Sequence, residues 1–252
     1  MPFIGLGLHI LVALYFAVHA IRSGQNMYWL LILFSFPLLG SIVYFLAVYL
    51  PDSRLQHGAR KAITSAAKAL DPSRELRDAR AAFDYTPTAQ NQMRLAAALL
   101  DAGQAEEAAT SYEACLTGLF ANDPEILFGA ARANVESQKF ARAIEQLELI
   151  RKVQPEYQAE QISLLLARAL SQSGRQMEAK AEFESAIAKF GSFDAKAEYL
   201  VWALISDERE LAARLHAEVQ RTIDRWNRQT RELNLPMLRR LEAAYEYTQQ
   251  RR

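Results

Sequence analysis

Cysteine is almost missing from this chain of 252 residues: Cys115 stands alone. No intrachain disulfide and no cysteine-ligated zinc cluster can form, and nothing speaks for an oxidising compartment. Net charge is missing as well, with 29 Lys+Arg against 29 Asp+Glu. A general nucleic-acid binder needs a basic surface to displace counterions, so that class is excluded. Catalytic signatures are absent too: no G-x-G-x-x-G, Walker loop, H-E-x-x-H, G-x-S-x-G or C-x-x-C occurs. His57 and His216, the two histidines beyond residue 50, have no recognisable catalytic partner. The sequence therefore predicts no enzyme, no cofactor and no metal site. Cys115 reads as a packing residue rather than a nucleophile.

Charge is scarcest at one end. Of the first 50 residues, 36 are apolar and one, Arg22, is charged. Phe3 to Ile21 and Met27 to Leu50 are runs of 19 and 24 residues without Asp, Glu, Lys or Arg. At ~1.5 Å per helical residue each can cross about 30 Å of hydrocarbon, the first only just. Between them lies the short polar stretch RSGQN, Arg22 to Asn26. The pattern predicts a two-span transmembrane hairpin over residues 1–50, with Arg22, Tyr28, Trp29 and Tyr49 at the membrane interface. A signal peptide is the rival reading; it fails because no Lys or Arg precedes the first run and a second follows at once. Pro37 and Gly40 fall in mid-span and predict a kink there. Four basic residues follow the second run (Arg54, Arg60, Lys61, Lys68) against one in the loop. That bias puts both termini on the cytoplasmic side of a bacterial inner membrane. His9 and His19 lie ten residues apart, about 1000° around a helix, so they share no face. An interhelical hydrogen bond for His9 and an interfacial ring for His19 fit better than a proton or metal relay.

The stretch His9 to Pro51 resembles the phospholipase D nuclease N-terminal family, the membrane segment that precedes the catalytic domains of bacterial cardiolipin synthases. The matching features are the Tyr-Trp at 28–29, the Pro-x-x-Gly at 37–40 and the Tyr-Phe at 44–45. The resemblance implies a membrane anchor over about one fifth of the chain. It implies no phospholipid transfer, since the H-x-K-x-x-x-x-D pair of that family is missing.

Beyond Pro51 the apolar positions recur at helical spacing, and the chain repeats itself. A small or apolar residue (Ala96, Ala131, Ala167, Val201) is followed twelve residues on by alanine (Ala108, Ala143, Ala179, Ala213). Four further on stands Tyr112, Leu147, Phe183 or Ala217, and the alanine steps are 35, 36 and 34. Small residues at fixed places let two helices cross closely. Gly103 and Gly174 mark turns within units, and Pro124 and Pro155 mark their ends. These features resemble the tetratricopeptide repeat (TPR), a helix–turn–helix unit. The fourth unit lacks the turn glycine, and Gly191 stands where the third would have proline.

The expected architecture is all-α. A two-helix transmembrane hairpin (1–50) is followed by a juxtamembrane helical linker (51–87). Then comes an α-solenoid of three to four TPR-like helix pairs (88–234) and a capping helix (235–252). ARKAITSAAKAL in the linker reads as helical, and Asp71 with Pro72 as the start of a second helix. Net charge runs +2 over residues 51–84, −7 over 85–213 and +4 over 214–252.

The TPR resemblance implies a concave groove lined by first helices, with Met93, Ala97 and Leu100 in the first unit. Phe128, Arg132 and Val135 follow in the second, Leu164, Arg168 and Ser171 in the third, and Glu198, Trp202 and Ile205 in the fourth. Arg132 and Arg168 can hold a carboxylate beside Trp202, or else pair with acids such as Glu136 and Glu160. Trp226, with Arg221, Arg225 and Arg228 nearby, reads as packing against the terminal helix. The expected function is a non-catalytic, membrane-tethered scaffold whose groove binds a protein or peptide, with the bilayer contacting residues 3–50. The rival is an accessory or regulatory factor of phospholipid synthesis or envelope maintenance acting through the hairpin. The oligomeric state is open.

Overall fold

A computed structural model describes residues 3–22, 28–35, 37–44 and 73–250. Among the described residues there are fourteen α-helices, one short 3-10 turn and no strand. The chain divides into two units, residues 1–72 and 73–252.

The first unit holds α1 (Phe3–Arg22), α2 (Tyr28–Ser35) and α3 (Pro37–Tyr44). Here the transmembrane expectation fails, because among the described residues no helix is long and apolar enough to cross a membrane. Within the second apolar run the described residues form two helices of eight residues each. Either spans about 12 Å at ~1.5 Å per residue, well under half of the ~30 Å required. Proline at the first position of α3 has no N–H for a preceding carbonyl, so it begins a helix where continuation was expected. Phe16, Ala17, Ala20, Leu33 and Tyr44 pack into a small core of their own. The His19 Nδ1 and the Tyr44 hydroxyl stand 3.1 Å apart, so His19, expected as an interfacial ring, makes an interhelical contact, and the side chain of His9 lies outside what the structure describes. Trp29, expected at an interface, meets the Tyr44 ring edge-on at 5.4 Å. Tyr28 and Arg22 are exposed, and Tyr49 lies outside the described residues. The two-span inner-membrane localisation falls with the hairpin, and the bilayer contact and the accessory role in phospholipid synthesis lose the feature they were read from.

The second unit is a stack of helix pairs. The first pair is α5 (Ala89–Asp101) with α6 (Ala105–Cys115), and α4 (Arg74–Tyr85) packs against α5. The second is α7 (Pro124–Glu136) with α8 (Phe140–Val153), and the third α9 (Ala159–Gln172) with α10 (Gln176–Phe190). α11 (Phe193–Ile205) and α12 (Arg209–Ile223) form the fourth, followed by the short α13 (Arg228–Leu233) and by α14 (Leu235–Gln250). Thus α4, which falls in the expected linker, is a helix of the stack, with Ala79 fully buried. The other linker positions, residues 51–72, lie outside the described residues.

One turn closes every pair. The residue two past the first helix adopts positive φ: Gly103 (78°), Gln138 (62°), Gly174 (85°) and Asp207 (58°). The next amide, of Gln104, Lys139, Arg175 or Glu208, donates back to the carbonyl of Leu99, Asn134, Leu170 or Ala203. That is the Schellman closure, which satisfies carbonyls a helix end would otherwise leave bare. The fourth unit is therefore a true repeat, with Asp207 where glycine was sought; aspartate tolerates this region better than most residues. Its turn comes one residue earlier than the alanine alignment implies. Consequently Ala212 (7% exposed) packs in the crossing and Ala213 is exposed. In the other three pairs the crossing alanines Ala96, Ala108, Ala131, Ala143, Ala167 and Ala179 are all fully buried.

Three apolar clusters run along the stack: one over α4 to α7, one over α7 to α10, and one over α9 to α14. A buried polar node stands at the seam of the first two pairs. Glu113 Oε1 accepts from Asn134 Nδ2 (3.0 Å), Gln146 Nε2 (3.1 Å) and Arg142 Nε (3.2 Å). Burial pushes the Glu113 carboxyl up, but these donors outweigh it and hold its pKa below the ordinary glutamate value. A depressed carboxylate contributes stability that is present above its unfolded pKa and fades as pH falls through the folded one. Glu113→Gln should therefore cost about 1 kcal/mol at pH 7 and less at a strongly acid pH, once the wild-type group has taken up its proton. Thermal melts at the two pH values check this; an equal loss at both would show that the charge is irrelevant.

Candidate functional site

First helices line the hollow side of the stack. Side-chain caps start two of the groove helices, α7 and α11: Asp123 Oδ1 accepts from the amides of Glu125 and Ile126, and Ser192 Oγ from that of Ala195, whereas Gln158 before α9 makes no such bond. Across α7, α9 and α11 runs a groove of about 410 Å³. Its walls are Phe128, Arg132, Gln161, Leu164, Leu165, Arg168, Asp194 and Glu198, closed at one end by Leu233, Asn234, Pro236, Met237 and Arg240. A second hollow, of about 340 Å³, reaches toward Leu100 and Asp101 and shares Arg132, Leu165 and Arg168 with the first. The two arginines thus border both.

Their electrostatic commitments differ. Arg168 pairs with Glu136, while its Nε is buried and has no hydrogen-bond partner. Glu198 is held by Arg240 of α14. Among the described residues Arg132 forms no ion pair and is exposed. Burial raises the Glu198 pKa; Arg240 and Arg168 oppose that, and Asp194 reinforces it. Asp194, one turn earlier on α11, is raised by burial and then by Glu160. The groove therefore offers one uncommitted guanidinium, one partly committed guanidinium, and a carboxylate pair already met by a cation.

Five of the sequence-derived groove residues meet here: Phe128, Arg132, Leu164, Arg168 and Glu198. Leu100 borders the second hollow, and Ala97 is exposed. Met93 instead packs against the first cluster, and Val135 is buried. Ser171 Oγ donates to Gln176 Oε1 at 3.2 Å, and Ile205 is exposed. Trp202 is 6% exposed, stacks on Tyr199 at 5.6 Å and donates its indole N–H to Gln176 Oε1 at 3.0 Å. It is a core residue rather than a platform beside the arginines, because the one-residue shift turns it inward. Trp226 packs edge-on against Phe193 at 4.4 Å and belongs to the cluster that also takes in Met237 and Leu238. Sequence reasoning missed Asp194, Met237 and Arg240. Asp194 was readable from its four-residue spacing to Glu198; Arg240, from outside the repeat, had no periodic signal. Cys115 lies in the first cluster, and burial pushes its thiol up. Among the described residues no group of His, Cys, Asp and Glu is arranged to hold a metal.

Helix pairs closed by one recurring turn and stacked along a common groove define an α-solenoid of TPR-like repeats. Among solved structures the chain is similar to the MamA RS-1 ArsTM double mutant, with a TM-score of 0.52 and 15% identity. The match covers 66% of this chain and 95% of that one. At such identity the likeness speaks for the fold alone. No family model matches the chain, so the resemblance of its first fifty residues to the phospholipase D nuclease N-terminal family gains no support. No curated protein matches it either.

Proposed function

We propose that this chain is a non-catalytic scaffold that binds a protein partner by holding an extended segment in the groove of the second to fourth repeats. In this reading Arg132, with the free Nε of Arg168, takes a carboxylate of the segment, and Phe128 and Leu164 take an adjoining apolar side chain. The observation that carries it is the pairing of an uncommitted Arg132 with a buried, unpartnered Arg168 Nε on the border of two connected hollows. A buried donor left unmade costs about 1–3 kcal/mol, which an incoming acceptor recovers. Guanidinium suits carboxylate geometry better than ammonium does.

The test is a peptide array of free-acid and amidated C-termini probed with the full chain. Binders should prefer acidic or free-acid segments. Arg132→Glu should weaken them by about tenfold to a hundredfold, the worth of one charged hydrogen-bonding group. Binding that ignores this reversal would sink the groove as the site.

A further inference from the structure

The C-terminal end of the groove is closed by the chain itself, through a segment that gives the core only the partly buried Met237 and Leu238. Before α13, Trp226 is fixed against Phe193. Beyond Arg240, α14 is fixed by Leu241 and Ala244, both 5% exposed, and by the contact of His216 with the Tyr245 hydroxyl. Residues 228–240 bridge these two anchors. Their surface is open, with Leu233 66% and Leu235 42% exposed, and Met237 and Leu238 are only partly buried. Among the described residues their one ion pair to the rest of the stack is Arg240 with Glu198, beside a long hydrogen bond from Arg231 to the Ile223 carbonyl at 3.5 Å. That pair is unequal: the Glu198 side chain is 12% exposed and Arg240 39%. Moving Arg240 away strands a nearly buried carboxylate beside Asp194, so the closed position is favoured by electrostatics rather than by apolar burial.

We propose that residues 228–240 form a strap over the end of the groove, latched by Arg240 on Glu198, which opens while the helix pairs stay folded. Low apolar burial, one ion pair and one long hydrogen bond are what a locally opening segment has. That the strap gates a ligand rests on the scaffold reading above; that it opens does not.

The experiment uses the full chain carrying Leu164→Cys, which puts a thiol in the groove wall beside Met237, and follows maleimide labelling without any ligand. Cys115, buried in the first cluster, is the internal reporter of global unfolding. Arg240→Gln should raise labelling of the introduced thiol about tenfold, equivalent to roughly 1.4 kcal/mol on the opening equilibrium, with Cys115 unchanged. Glu198→Gln should reproduce the effect. Arg228→Gln, which removes an exposed pair with Glu232, should leave both rates alone. An unchanged rate at the introduced thiol overturns the latch. So does a rise at Cys115 in step, which would make the pair a support of the whole fold. Because no ligand is present, failure here is separable from failure of the scaffold reading.

Discussion

Replacing Phe183 by alanine is expected to lower the unfolding free energy by about 3–5 kcal/mol. Phe183 is 2% exposed and stacks on Tyr199 at 5.3 Å, with Trp202 at 6.1 Å. What sets the cost is whether the neighbours can close the hole. Neither can swing freely. The Tyr199 hydroxyl donates to Glu184 at 3.0 Å, and the Trp202 indole is tied to Gln176. Collapse would break those bonds, so the upper half of the range applies. Phe183→Leu keeps much of the volume and should cost less than about 1.5 kcal/mol. Urea unfolding followed by circular dichroism compares the two. Equal losses would mean that the ring's volume is not what matters.

Gly129→Val should be nearly as damaging, for the opposite reason. On α7, a Cβ at Gly129 would stand 2.5 Å from Cε1 of the Tyr112 ring. Tyr112 is 7% exposed, wedged between α6 and α7 in the first cluster. The absent side chain is what lets the ring lie flat on the helix backbone. Valine adds two more carbons in the same direction, and overpacking of this kind costs about 1–3 kcal/mol or more. The mechanism makes a sharper claim than the magnitude. Tyr112→Ala alone is destabilising, yet with Gly129→Val the two losses should sum to less than their separate values by about 1–3 kcal/mol. Strict additivity would show that the valine clashes elsewhere.

Much of the stack was legible, because crossing alanines must be small and so leave a periodic trace. Ala96, Ala131 and Ala167 fixed the register of three pairs. The fourth slipped by one residue because its turn is made by Asp207, and a search for glycine does not see an aspartate at positive φ. That slip put Trp202 in the groove when it belongs to the core. Gln138 makes the same substitution in the second pair, but there the flanking alanines kept the register. Arg132 and Arg168 occupy matching places in consecutive repeats and so leave a periodic trace, whereas Arg240 arrives from a helix outside the repeats, 42 residues from Glu198. In the first unit, counting apolar residues could not tell one long helix from α2 and α3, because hydropathy carries no information on where a backbone restarts.

The three clusters in series have a mechanical consequence. A protein with one core deforms only by paying everywhere at once; a stack whose neighbours alone touch can tilt a little at each seam. Small tilts add along the chain, so the curvature of the solenoid is its softest coordinate. The hollow side is where that curvature is read, and a segment lying across several pairs would sense, and set, the bend of the spring.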